Sequence, residues 1–122
     1  YIVTHIILSF QWMRELGCAD RFPVIEASYN HFADTLCAII ERERPKTDIA
    51  FESMAFLYYI GFGKRVKEEW VAAVASLQLP SGAWAYKPGD EPHAHPTALA
   101  VWTLLEHALS NAPRPPWLVP AS

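Results

Sequence analysis

Two segments of this chain, 50–61 (AFESMAFLYYIG) and 97–108 (TALAVWTLLEHA), are apolar around most of a helical circumference. An amphipathic helix can lie on a surface, but one apolar all round has to be enclosed by other elements. In 122 residues, enough for one domain at most, two such helices leave little choice but a helical array built around them. A hydrophobic fraction of 52% and an aromatic fraction of 13% supply the side chains for that core.

The apolar spacing predicts five helices. The first covers about 1–16, carrying Ile2, Ile6, Ile7, Phe10 and Met13, and stops at Gly17. The second, near 23–44, starts with Pro23 in its first turn and ends before Pro45. The third runs about 48–61, with Asp48 as cap or first-turn acid and Gly61 and Gly63 at its end. The fourth, about 64–79, places Val66, Trp70, Val74 and Leu77 on one stripe. The fifth runs from Pro96 to about Asn111. No segment shows the period-two alternation of a strand, so the fold class is all-α.

Helices two and four are amphipathic, whereas three and five are not. Inner helices (one, three, five) therefore alternate with outer ones. Thr4, Phe51 and Thr97 occupy similar places in the inner helices, which sets a repeat of about 46–47 residues. Alternation at this period describes α/α hairpins in a solenoid or in part of a closed α/α barrel. About half of a barrel is present, so apolar edges would be exposed unless an N-terminal part or a second subunit covers them. The chain opens on Tyr1, not Met, which fits a C-terminal piece of something longer. The helical domain is expected over 1–112 and a Pro-rich tail over 113–122, where Trp117 and Leu118 could latch onto the helices.

The stretch Gln78–His107 reads QLPSGAWAYKPGDEPHAHPTALAVWTLLEH. Its Gln78-x-x-x-Gly82-x-Trp84 followed by His95-Pro96-Thr97 at a helix start resembles one repeat of the α/α-toroid proteins, which include terpenoid cyclases and protein prenyltransferases. The resemblance implies that Gln78 and Trp84 stack across the turn and tie an outer helix to the next inner one. It also implies a ligand site inside a ring of helices. The Asp-x-Asp-Asp acid motif of proton-initiated cyclases is absent, as is the Asp/Cys/His zinc set of the prenyltransferases.

Parallel inner helices gather their N-terminal ends at one pole, where free N–H groups and the helix dipoles favour carboxylates and anionic ligands. His5, Asp48, Glu52 and His95 all fall near those ends. His5, Glu52 and His95 are the candidate catalytic residues: an imidazole as acid, base or polar anchor, with Glu52 orienting it. Two imidazoles and two carboxylates could instead hold a divalent metal, the less favoured reading, and Asp48 is read first as the cap of its own helix. Asp48, Tyr58, Trp84 and Trp102 are candidate ligand contacts; the three rings have π faces suited to cationic intermediates, although aromatics at helical spacing are more often plain core. His93 and His95, beside Asp90 and Glu91, form a His-x-His, a weak metal motif on which no site is placed. Phosphate-binding and nucleophile-elbow motifs are missing.

A net charge of −3 argues against nucleic acid or an anionic membrane surface as partner, and no apolar run reaches the length of a membrane span. Cys18 and Cys37 sit at helix positions too far apart for a bridge, which points to reduced thiols and a cytoplasmic location. Two readings follow: an enzyme of the toroid kind taking a small-molecule ligand at the pole, or a non-catalytic helical-repeat module that binds a peptide or another chain along an open edge.

Overall fold

The computed structural model describes residues 1–110 together with Ala112 and Leu118. Among these are α1 (Ile2–Glu15), a single-turn α2 (Val24–Ala27), α3 (Tyr29–Glu43), α4 (Asp48–Tyr59), α5 (Glu68–Ser76) and α6 (Ala94–Ala108), with two short 3₁₀ turns. The only strand-like feature among the described residues is an isolated antiparallel bridge between Ala85 and Pro92. The all-α class expected from the sequence is what the chain adopts. Among the described residues no helix is long and apolar enough to cross a membrane.

The helix limits follow local chemistry. Gly17 ends α1 at φ 80° and Gly61 follows α4 at φ 90°, left-handed conformations that suit glycine. Arg44 takes the same conformation at φ 55° because Pro45 bars the helix from continuing. The expected second helix is interrupted: the single turn of α2 gives way to α3 at Ser28, whose hydroxyl donates to the Val24 carbonyl. The expected fourth helix begins later, at Glu68, because Val66 and Lys67 are extended. The fifth starts earlier, at Ala94. His93 is its extended N-cap, and its ring accepts from the His95 N–H, with Pro96 in the first turn.

α4 is the axis of the core. Asp48 and every residue from Ala50 to Tyr58 are buried, and the helix packs against α3, α6 and α1. Leu36 and Ile40 of α3, Leu99 and Ala100 of α6, and Ile7 of α1 close around Phe51, Met54, Ala55 and Leu57. Polar contacts fix the direction of the three inner helices. Tyr1 and His95 meet Asp48 at one end. At the other, Tyr59 reaches Glu15 and Tyr58 reaches His107. α1, α4 and α6 therefore run parallel, with their N-terminal ends at one pole. α3 lies against α4 and α5 against α6.

Enclosure all round is correct for α4 only. α6 buries a stripe, Pro96, Leu99, Ala100 and Thr103, and leaves Val101, Leu105 and Leu109 exposed. α1 buries Thr4, Ile7 and Gln11 and exposes Ile2, Val3 and Ile6. The reason is position: α4 has an inner neighbour on each side, whereas α1 and α6 each have one.

The expected joint at Gln78–Trp84 forms by hydrogen bonds rather than by stacking. Gln78 Nε2 donates to the Gly82 carbonyl at 2.9 Å, across a turn in which Gly82 has φ 86°. The buried Trp84 indole donates to the Val74 carbonyl of α5 at 2.8 Å, and the Trp84 N–H donates to Thr97 Oγ1 of α6 at 3.0 Å. One residue thus holds two helices. Of the tail, Trp117 lies outside the described residues. The Leu118 N–H donates to Glu15 Oε2 at 2.9 Å. Both cysteines are free thiols.

Candidate acid–base site at the helix pole

The first two turns of α4 place Asp48 and Glu52 four residues apart, on one helix face. Both side chains are only 2% exposed. α1 brings Tyr1 and His5 beside them, again four residues apart, and α6 brings His95 from its first turn. Tyr1 to Asp48 and Asp48 to His95 are both steps of 47 residues, while the N-caps Tyr1, Thr47 and His93 stand 46 residues apart. Caps and contacts thus differ by one residue, and on the 47-residue step Thr97 stands one residue out of register with Thr4 and Phe51.

Asp48 does not cap its own helix, contrary to the expectation. Thr47 is the N-cap, and no side-chain cap bond forms there. The Asp48 carboxylate instead accepts from the Tyr1 hydroxyl on one oxygen, at 2.5 Å, and meets His95 Nδ1 on the other, at 2.9 Å. Its N–H is taken by the Tyr86 carbonyl. A charged carboxylate can only accept, so His95 Nδ1 carries the hydrogen and the lone pair of the neutral ring sits on Nε2. Nε2 faces Glu52 Oε2 at 3.8 Å. On the other flank, His5 Nδ1 donates to the Tyr1 carbonyl at 2.8 Å and lies 3.9 Å from Glu52 Oε1.

Glu52 therefore stands between two imidazoles, just beyond hydrogen-bond reach of each. Its Oε1 is buried with no hydrogen-bond partner among the described residues. Such an oxygen is costly to leave unpaired in a core, which marks it as a place for an incoming donor. Burial and the Asp48 bond push the Tyr1 hydroxyl well above the usual phenol range, so it remains a neutral donor. The His95 ring is packed by Tyr86, with ring centroids 6.3 Å apart, and by Tyr1 edge-on at 6.4 Å. With 45% of its side chain exposed, His95 stays reachable from solvent.

His5, Asp48, Glu52 and His95 thus meet at one place. The three expected aromatic contacts do not join them. Tyr58 is ten residues along α4 from Asp48, about 15 Å at the helical rise, and bonds His107 at 3.0 Å. Trp102 packs edge-on against Phe56, tilts against Tyr59, and donates to Glu106. Trp84 belongs to the joint. The aromatics that do border the site, Tyr1 and Tyr86, escaped the sequence reading. Tyr1 is recoverable from the 47-residue step, but Tyr86 lies in a loop whose path no periodicity records.

His93 spends its ring nitrogen on the helix cap and stacks near Tyr86, at 4.6 Å, so the His-x-His pair is divided between two tasks. Among the described residues no group of three or more His, Cys, Asp or Glu side chains is spaced to hold a metal ion. Comparison with protein-family models, curated proteins and solved structures finds no match to this chain.

Proposed function

We propose that this chain carries a general acid–base site, in a helical array of the α/α-toroid type, with His95 as the group that moves the proton. The observation that carries the reading is the orientation of His95: Nδ1 committed to a buried carboxylate, Nε2 free and facing a second one. Such an arrangement fixes the tautomer and leaves the Nε2 lone pair available to accept a proton. Nε2 takes a proton from an O–H or N–H of a bound small molecule, or from water beside it. The imidazolium that results is held by Asp48 at Nδ1 and attracted by Glu52 at Nε2. The proton returns to the leaving or product atom by the reverse path. Tyr1 and His95 together position the Asp48 carboxylate, while His5 flanks Glu52. The resemblance of Gln78–Trp84 to an α/α-toroid repeat bears on the architecture only, and no cyclase or prenyltransferase chemistry is carried over from it.

The test has a structural and a catalytic arm. Long-range ¹H–¹⁵N spectra should show neutral His95 as the Nδ1–H tautomer. Any turnover found in a screen of hydrolysable and isomerisable small molecules should fall about 10²–10⁴-fold in His95→Gln, and also fall in Asp48→Asn. An Nε2–H tautomer, or turnover indifferent to His95→Gln, removes the proposal.

A second reading, a helical-repeat module without catalysis, is favoured by a different observation: the apolar outer stripe of α6, Val101, Leu105 and Leu109, left exposed. In that reading the polar cluster merely ties three helix ends together.

A further inference from the structure

The loop that carries Tyr86 has a second side. Between it, the start of α4 and the end of α5 lies a pocket of about 260 Å³, room for about eight or nine water volumes. Phe51, Leu77 and Trp84 contribute its apolar wall, and Gln78 adds an amide. The charged residues that line it are Lys46 and Lys87; no Asp or Glu does so. That balance runs against the chain as a whole, which has 13 acids to 10 lysines and arginines. Neither lysine forms an ion pair among the described residues, although Lys67, Arg14 and Arg65 each have a carboxylate partner.

We infer that this pocket binds a small amphipathic organic anion, with a short alkyl or aryl body against Phe51, Leu77 and Trp84 and a carboxylate or phosphate head between Lys46 and Lys87. An apolar wall with a few convergent polar groups is the usual make-up of a small-molecule site, and this volume suits a ligand below drug size. Two cations in a lining that holds no acid select the sign of the ligand, and the wall rewards burial of its apolar body. Occupancy would also be felt at the candidate site: the Tyr86 carbonyl holds the Asp48 N–H, and the Trp84 carbonyl holds the N–H of His93, the cap of α6.

Titration of the ¹⁵N-labelled chain with hexanoate and hexyl phosphate tests this, with hexanol and hexylammonium as controls. Both anions should shift the Trp84 indole N–H resonance saturably, hexanol should bind more weakly and hexylammonium should not bind. The double variant Lys46→Gln/Lys87→Gln changes only exposed residues; it should keep its helical circular dichroism and lose about tenfold in affinity for the anions, but not for hexanol. The inference is overturned if the Trp84 resonance does not respond to either anion, if hexylammonium binds as well, or if the double variant binds the anions as tightly as the parent. None of these outcomes depends on His95 being catalytic.

Discussion

Glu52 is the residue at which stability and chemistry pull apart. Its carboxylate is buried and one oxygen lacks a hydrogen-bond partner, an arrangement that costs on the order of 1–3 kcal/mol. Glu52→Leu replaces it with an apolar side chain of similar bulk in a site already walled by helices. We expect a melting temperature a few degrees above the parent, about 4 °C for each kcal/mol recovered, together with loss of whatever activity depends on His95. A lower melting temperature would mean that the two imidazoles already compensate the charge. A different pH response belongs to Tyr29. Its hydroxyl donates to the buried Gln11, and burial pushes it up to about 12 from the ordinary 10.0. A raised folded-state value favours the protonated form, so this contribution to stability is complete below pH 10 and is lost as pH climbs from 10 toward 12. Denaturant unfolding followed across that window should show the midpoint falling, and the fall should be smaller in Tyr29→Phe.

At the scale of elements, periodicity carried much of the fold. The unbroken apolar circumference expected of both α4 and α6 holds for α4 alone, and Gln78, Gly82 and Trp84 mark the joint between α5 and α6. What escaped depends on contacts outside the local window. α5 starts late because Val66 and Lys67 extend, and nothing in their propensities forces that. Asp48 looked like a cap because its position at the start of α4 is where caps sit; its true partners come from 47 residues away on either side. Tyr58 shares α4 with Asp48 and Glu52, but a helix of 12 residues is long enough to put its ends in separate surroundings. The joint gives a graded prediction. Trp84→Phe keeps most of the apolar volume and strands the Val74 carbonyl, for a loss of about 1–3 kcal/mol. Gly82→Ala meets open space at its Cβ, and its cost is the left-handed backbone alone, about 1 kcal/mol. Gly63→Ala is worse, since its Cβ would run into the Tyr58 ring behind it. Equilibrium unfolding of the three variants should place Gly82→Ala as the mildest; equal losses would show that turn 79–84 is held by more than its glycine.

The whole molecule is an array whose middle is finished and whose sides are not. α4 is enclosed, while α1 presents Ile2, Val3 and Ile6 and α6 presents Val101, Leu105 and Leu109 to solvent. On α6 these residues recur every four positions, the spacing by which a helix offers a continuous ridge to a neighbour. Another helix laid along that ridge would cover it. A substitution on the ridge separates association from folding. Leu105 is 54% exposed and packs on little within the chain, so Leu105→Glu should leave the unfolding free energy within about 0.5 kcal/mol of the parent. If the ridge is a contact surface, light scattering should find a mass that rises with concentration in the parent and stays monomeric in Leu105→Glu, with a matching change for Val101→Glu on the same face. Ser76→Glu, an exposed change on α5 away from the ridge, serves as the control and should associate like the parent. A parent that stays monomeric at every concentration would mean that the ridge is not used between copies, and the acid–base site would then have to be judged on the single chain alone.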